Sequence, residues 1–333
     1  MRQGPFEATH ATEWADYRRL LADLEGRARR PDPTVDRELA RFPALYRRLC
    51  AHYALARTRR YAPGLIAQLH DLVRRGYPCL YRRRLAWLAP TLGFMATTFP
   101  RTLRSHARVC ALAAALFFLP AAFMGLACGQ DSELIYSLMS AHQVTELESM
   151  YDPGAAKPGR GADRQADTDF QMFGFYVMNN IGIGFRTFGA GLLLGLGSVL
   201  ILVFNGLTIG AAAGHLTHLG FGSAFWPFVS GHSPFELTAI VISGAAGLLL
   251  GRALLAPGHQ TRLGALRANA RDAVVLVGGA ALMLLLAAVV EAFWSSGGAP
   301  AGVKYLVGAL GWVAVTLYFA LAGRAAPGAD HGA

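Results

Sequence analysis

The spacing of hydrophobic positions changes character near residue 107. Before that point, apolar and aromatic residues recur every three or four positions. Leu39, Phe42, Tyr46, Leu49 and Tyr53 do so within residues 36–60, with arginines between them. That period predicts an amphipathic helix, and Pro43 marks a place where it can break. A second helix fits residues 63–76, opened by Pro63 and carrying Leu65, Leu69, Leu72 and Val73 on one side. Pro31 and Pro33 mark a turn ahead of the pair. From residue 107 onward the periodic alternation gives way to long apolar runs.

The first run, residues 107–127, "ARVCALAAALFFLPAAFMGLA", has the length that a hydrocarbon core of roughly 30 Å demands. Pro120 lies inside it, which membrane helices tolerate. Further runs stand near 188–209, 236–256, 272–294 and 303–323. Residues 172–185, "MFGFYVMNNIGIGF", are apolar but short and are interrupted by Asn179 and Asn180. Without this segment there are five spans; with it there are six. The loop 257–271, "PGHQTRLGALRANAR", carries three arginines and no acid. An excess of Lys and Arg belongs on the cytoplasmic side, which favours six spans with both termini inside. Segment length favours five. A half-helix that enters and leaves by one face is a third arrangement.

Composition sharpens this division. The 333 residues are 53% hydrophobic and only 16% charged, against about 25% in soluble domains. The charge is local: residues 1–106 hold 20 Arg and 9 acidic residues, a net of +11. Residues 128–171 hold 8 acidic and 3 basic residues and include "YDPGAAKPGRGAD", which reads as a flexible insert. The expected class is all-α: a polytopic membrane helical bundle of five to six spans with an N-terminal cytoplasmic helical segment. Its parts are a basic cytoplasmic domain with an interfacial segment (1–106), the first span (107–127), an acidic extracytoplasmic loop (128–171), a glycine-rich polytopic domain (172–323) and a short tail (324–333). No early apolar stretch of signal-peptide type is present, so the N-terminal segment is expected to stay in the cytoplasm.

Trp87, Phe94 and Phe99 are interleaved with Arg82, Arg83, Arg84, Arg101 and Arg104. That mixture suits the lipid bilayer surface and anionic head groups. Lipid is preferred to nucleic acid as the partner because the segment adjoins a span. Cys50, Cys79, Cys110 and Cys128 show no ligand-like spacing and read as unpaired thiols. No phosphate-binding loop or nucleophile elbow occurs, and no cofactor is expected.

Polar groups inside spans are costly and therefore informative. They are Asn179, Asn180, Asn205, His232, Glu236 and Glu291. In "SGHSPFELTAI" an ordinary account is a capping box. Ser233 caps the helix, Pro234 takes its first position, and Glu236 at the third reaches back. His232 stays outside that account. One histidine and one carboxylate are too few for a structural zinc site. Further ligands would come from Glu291, His215 or His218, and whether a metal binds stays open. Glu291 approaches the same membrane face as His232 under either span count. Asn205 is expected to bond to a neighbouring helix, a contact worth about 1 kcal/mol. Gly206, Gly210 and Gly214, Gly191 and Gly195, and Gly247 and Gly251 are spaced by four, which lets helices approach closely. A homo-oligomer face or a glycine-lined pore are the other uses of that spacing.

These segments resemble the stage II sporulation protein M family. "FVSGHSPFELTAIVISGAAGLLLGRALLAPG" is similar to its signature. "NNIGIGFRTFGAGLLLGLGSVLILVFNGLTIG" and "AAVVEAF" resemble its flanking blocks. "FPALYRRLCAHYALAR" and "LIAQLHDLVRRGY" resemble the cytoplasmic extension of longer, non-sporulation members, so the likeness spans residues 6–296. Ser233 stands where the family usually has Gly. The resemblance implies an integral membrane protein without established enzymatic activity. Founding members act with peptidoglycan-degrading partners, as an anchor or scaffold. The expected function is a non-enzymatic scaffold or anchor that docks partner proteins, linked to cell-envelope processes. The rival is a membrane-embedded metal-dependent hydrolase, or an ion- or solute-handling protein, built on His232, Glu236 and Glu291.

Overall fold

The computed structural model of the chain describes residues 2–26, 41–82, 88–154 and 166–324. Every regular element among them is helical. They fall into two compact units, Met1–Gly93 and Phe94–Ala333.

The first unit contains α1 (Gln3–Gly26), α2 (Phe42–Thr58), α3 (Pro63–Arg82) and the short α4 (Leu88–Gly93). Phe6, Trp14, Tyr17, Leu21, Phe42, Leu49 and Leu69 form its core. Tyr17 stacks on Phe42 at 5.1 Å between ring centroids. The pattern of residues 36–60 predicts a helix that can break at Pro43; residues 36–40 lie outside the described residues, and α2 begins at Phe42 and holds Pro43 in its first turn. There the missing N–H is no loss, because no intrahelical partner exists for it. Pro31, Pro33, Arg83, Arg84 and Trp87 lie outside the described residues. Nothing in the sequence reading anticipates α1. Its buried residues do recur at helical spacing, but charged neighbours on every turn dilute them.

The second unit opens with a π-helical turn (Phe94–Thr98), α5 (Phe99–Ser105) and α6 (Ala107–Gln130). A 3-10 turn (Ser132–Ser137) and α7 (Ala141–Tyr151) follow, the latter opened by a capping box of Ser140 and Gln143. Thus the described part of the acidic loop is folded; residues 155–163 of the expected flexible insert lie outside the described residues. Then come α8 (Ala166–Gly189), α9 (Leu196–His218), α10 (Gly222–Ser230), α11 (Ser233–Leu255), α12 (Arg262–Val290) with a π-helical turn (Glu291–Ser295), and α13 (Ala301–Leu321). Of the tail, only Arg324 is described. The apolar run 188–209 is not one helix. The chain bends through residues 190–195, where Leu194 and Gly195 take left-handed backbone angles (φ 55° and 80°), and a new helix starts at Leu196.

Among the described residues, five helices are long and apolar enough to cross a membrane: α6, α9, α11, α12 with its π turn, and α13. Contacts between the helices give their directions. Gly206, Gly210 and Gly214 lie against Phe117, Ala121 and Gly125 in that order, so α6 and α9 run parallel. Between two parallel helices the chain must return, and α8 is the helix that returns. Gly184 on α8 meets Ser243 of α11 and Leu284 of α12, and the end of α8 meets Gly247, so α8 runs parallel to α11. Its 24 residues span about 36 Å at the α-helical rise. Its two asparagines and flanking charges hide it from a hydropathy reading. Along α6, α8, α9, α11, α12 and α13 the direction alternates.

Candidate functional site

The site grows from three helix ends that meet at one end of this bundle. His232 is the N-cap residue of α11, and its carbonyl accepts from the amides of Phe235 and Glu236, both at 3.1 Å. This corrects the expected capping box. Ser233 already lies within the first turn, and its hydroxyl donates back to the Ser230 carbonyl at 3.4 Å. The physical reason lies in the preceding link. Gly231 and His232 keep right-handed helical angles after α10, whereas a capping Ser needs extended backbone at its own position. Glu236 is therefore released from any capping duty, and its carboxylate faces His232 Nε2 at 3.6 Å.

His232 is 4% exposed. Its Nδ1 lies 3.0 Å from the Ser295 hydroxyl, and its ring meets Phe228 edge-on. Ser295 and Glu291 belong to the π-helical turn at the end of α12, four residues apart. π-Helical turns are frequent at functional sites because the wider ring re-aims side chains. One ligand atom each from His232, Glu236 and Glu291 lie within 4.8 Å of one another. Glu291 Oε2 and Asn180 Nδ2 are buried without a hydrogen-bond partner, and the Asn180 side chain adjoins the Glu291 carboxyl. Asn179 Nδ2 donates to Asn180 Oδ1 at 3.0 Å and so holds that amide.

Three residues of this neighbourhood went unnoticed in the sequence. Ser295 had a signal, its spacing of four from Glu291. Lys304 is one of only two lysines in the chain, and its Nζ donates to the Ser295 carbonyl at 2.7 Å. Tyr151, at the end of α7, packs edge-on against Phe225 and Phe228 and lies close to both glutamates. Burial, with Glu291, Tyr176 and Glu236 adding to it, holds its hydroxyl well above the usual tyrosine range. No sequence pattern announced it, since it sits in a loop helix distant in sequence from its neighbours.

Residues 114–296 match the stage II sporulation protein M family, which is more than half of the chain. The chain belongs to the stage II sporulation protein M family. His232, Glu236, Glu291, Ser295 and Asn180 all fall inside the matched region of this family member. Residues 4–82 match a second family, described as a domain of unknown function (DUF8413). No curated protein and no solved structure matches the chain.

The other expected residues of this family member go elsewhere. Asn205 Nδ2 donates to the Ile201 carbonyl of its own helix at 2.8 Å, which corrects the expected cross-helix bond. A back-bond to the carbonyl four residues earlier lies one helical turn away, within reach of a short amide side chain. His215 bonds Glu148 at 2.8 Å and the Ser132 carbonyl at 3.1 Å, and His218 bonds the Gly129 carbonyl at 3.0 Å. Both histidines tie the acidic loop to α9 and take no part in the cluster. The glycines stand at helix contacts within one chain. A Cβ on Gly191 or Gly247 would overlap the facing segment, as would one on Gly206, Gly210, Gly214 or Gly251; Gly195 faces Gly251. Their spacing is accounted for without a second copy.

A second group, His10, Glu13 and His52, also brings donor atoms within 4.8 Å in the N-terminal unit. Trp14 Nε1 donates to His52 Nδ1 at 3.2 Å, and Arg48 pairs with Glu13. Those partners already occupy two of the three donors.

Proposed function

We propose that this family member is a non-enzymatic anchor of a bacterial inner membrane, whose basic N-terminal unit lies in the cytoplasm and docks partner proteins. The observation that supports it is the N-terminal unit itself, a helical module with its own aromatic core and an arginine-rich surface. A tail that only balanced the charge of head groups would need no core. The orientation follows from charge. Arg104, Arg186, Arg252, Arg262 and Arg271 gather at one end of the alternating helices. Asp131, Glu133, Glu148 and Asp152 gather at the other. With six crossings the arginine end faces the cytoplasm, and the residues that lead into α6 lie there too. Arginines at that surface also favour anionic head groups, at about 1 kcal/mol per charge near the membrane.

The test is purification of the full chain from native membranes in mild detergent, beside a variant with charge-reversed arginines on α2 and α3. The expected outcome is a defined set of proteins with the unaltered chain and its loss with the variant. Full biological function of the variant, or an unaltered chain that never retains a partner, overturns the anchor. A second reading, a metal-dependent hydrolase or an ion- or solute-handling protein, draws on the buried His232 cluster. It predicts that His232→Ala abolishes function while partner retention persists; the anchor reading predicts that function follows retention.

A further inference from the structure

We infer that His232, Glu236 and Glu291 form a binding site for one divalent transition-metal ion of the zinc class. Three donors of the right chemistry converge from two helix ends. Tetrahedral zinc with bonds of 2.0–2.2 Å separates its donors by about 3.4 Å. The pair His232 Nε2 and Glu236 Oε2 already stands at 3.6 Å, and the whole set lies within 4.8 Å. Small side-chain rotations close the remainder.

Two further observations point to a ligand. Glu291 is 9% exposed, and its Oε2 has no hydrogen-bond partner. A buried oxygen left this way costs free energy that a bound cation removes. His232 is also prepared in the manner of a metal ligand. Its Nδ1 lies 3.0 Å from the Ser295 hydroxyl, which can accept from Nδ1–H; in that tautomer the Nε2 lone pair is left on the side of Glu236, 3.6 Å away. Such an outer hydrogen bond fixes the tautomer and the ring plane. Ser295 is held in turn, because its carbonyl accepts from Lys304 Nζ. The donor set selects the ion. One imidazole nitrogen with two carboxylates suits Zn2+, Fe2+ or Mn2+, whereas Ca2+ asks for six to eight oxygens. Three protein ligands leave a fourth position for water. The ion joins the start of α11 to the end of α12, beneath Tyr151. This site stands whether or not the chain is an anchor, since it concerns metal content and not partner capture.

The experiment uses the full-length protein, purified in mild detergent without chelator. Metals are measured by inductively coupled plasma mass spectrometry, and the chelated protein is then titrated with Zn2+ and Mn2+. The expected result is about one ion per chain, with a rise in melting temperature on adding Zn2+ to the stripped protein. Glu291→Gln and His232→Ala are expected to lower the bound metal at least tenfold. Should either fail to fold, Ser295→Ala keeps all three ligands and is expected to weaken Zn2+ binding about 10–100-fold. Stripped wild-type protein that takes up neither ion and melts unchanged overturns the site. So does equal metal in wild type and all folded variants.

Discussion

The two units solve the same problem, packing helices, with opposite residues. The N-terminal unit fills its core with aromatic side chains: Phe6, Trp14, Tyr17 and Phe42 are all buried, with Leu21, Leu49 and Leu69. In the membrane unit the tightest contacts carry no side chain on one partner. Gly206, Gly210 and Gly214 lie against the backbone carbonyls of Phe117, Ala121 and Gly125. Phe99, Phe117, Leu202, Ile240 and Ile242 are buried there too, but many other large apolar residues point outward; Leu119, Phe123 and Leu126 are each about 70% exposed. The difference follows from the solvent. In water a fully buried Leu or Phe contributes about 1.5–3 kcal/mol, so bulk belongs inside. In lipid that gain vanishes, because hydrocarbon surrounds the side chain either way. Close van der Waals approach of backbones then holds helices together.

The largest effect expected is Gly210→Leu. Even a Cβ at that position would sit 2.1 Å from the Ala121 carbonyl oxygen, and a backbone atom cannot step aside. The whole parallel pair α6 and α9 must separate. The expected outcome is loss of the monodisperse peak in fluorescence-detected size-exclusion chromatography; a normal peak breaks the comparison. Next comes Phe6→Ala, which empties the aromatic core of the N-terminal unit and costs about 3–5 kcal/mol there. Hydrogen exchange should rise throughout α1, α2 and α3 while α6 and α9 stay protected. A fall in protection of α9 as large as that of α2 would show that the two cores are not separate. Smaller again is Gly244→Ala. Its Cβ would meet the Leu202 methyl carbons at about 2.5 Å, and these are the end of a flexible side chain. Overpacking of this kind costs about 1–3 kcal/mol. A thermal melt in detergent should shift modestly, with the peak intact. If Gly244→Ala proves as severe as Gly210→Leu, the nature of the facing atom does not matter and the argument fails.

The same contrast explains what could be read in advance. Long apolar runs need no partner to be recognised, so the helices at 107–127, 236–256 and 303–323 were legible within a few residues, whereas the one expected at 272–294 begins ten residues earlier, at Arg262, inside the expected loop 257–271. The α8 helix was ambiguous because its evidence lies elsewhere. Only the parallel alignment of Gly206, Gly210 and Gly214 on α6 requires a return between them. The α1 helix was missed since its buried residues are few per turn and gain meaning only opposite α2 and α3. At the cluster, His232, Glu236 and Glu291 were legible because polar groups stand out in apolar sequence. Ser295 and Tyr151 were not, since serine and tyrosine are ordinary at helix ends. The capping box was a true local pattern that lost to tertiary continuity between α10 and α11. A local motif fixes its own geometry only where the preceding backbone is free to be extended.

The smallest effect separates the units by pH. His52 lies half-buried in the N-terminal unit, its ring 3.9 Å from that of His10. Burial first, and His10 next, hold its pKa below the ordinary histidine value of 6.5. In the unfolded chain the same imidazole titrates near 6.5, so below that pH the unfolded state binds more protons than the folded one. Stability rises with pH wherever that holds. The contribution is thus present in full above 6.5 and is lost as pH falls toward the folded value. Hydrogen exchange in α2, corrected for the intrinsic rate, should therefore quicken between pH 7 and pH 5.5. Residues 196–210 of α9, which carry no titratable side chain, serve as the reference and should not change. His52→Gln removes the titrating group and should flatten the α2 profile. If α2 keeps the same slope in that variant, the pH sensitivity belongs to another group, and the aromatic core is not where protons reach this protein.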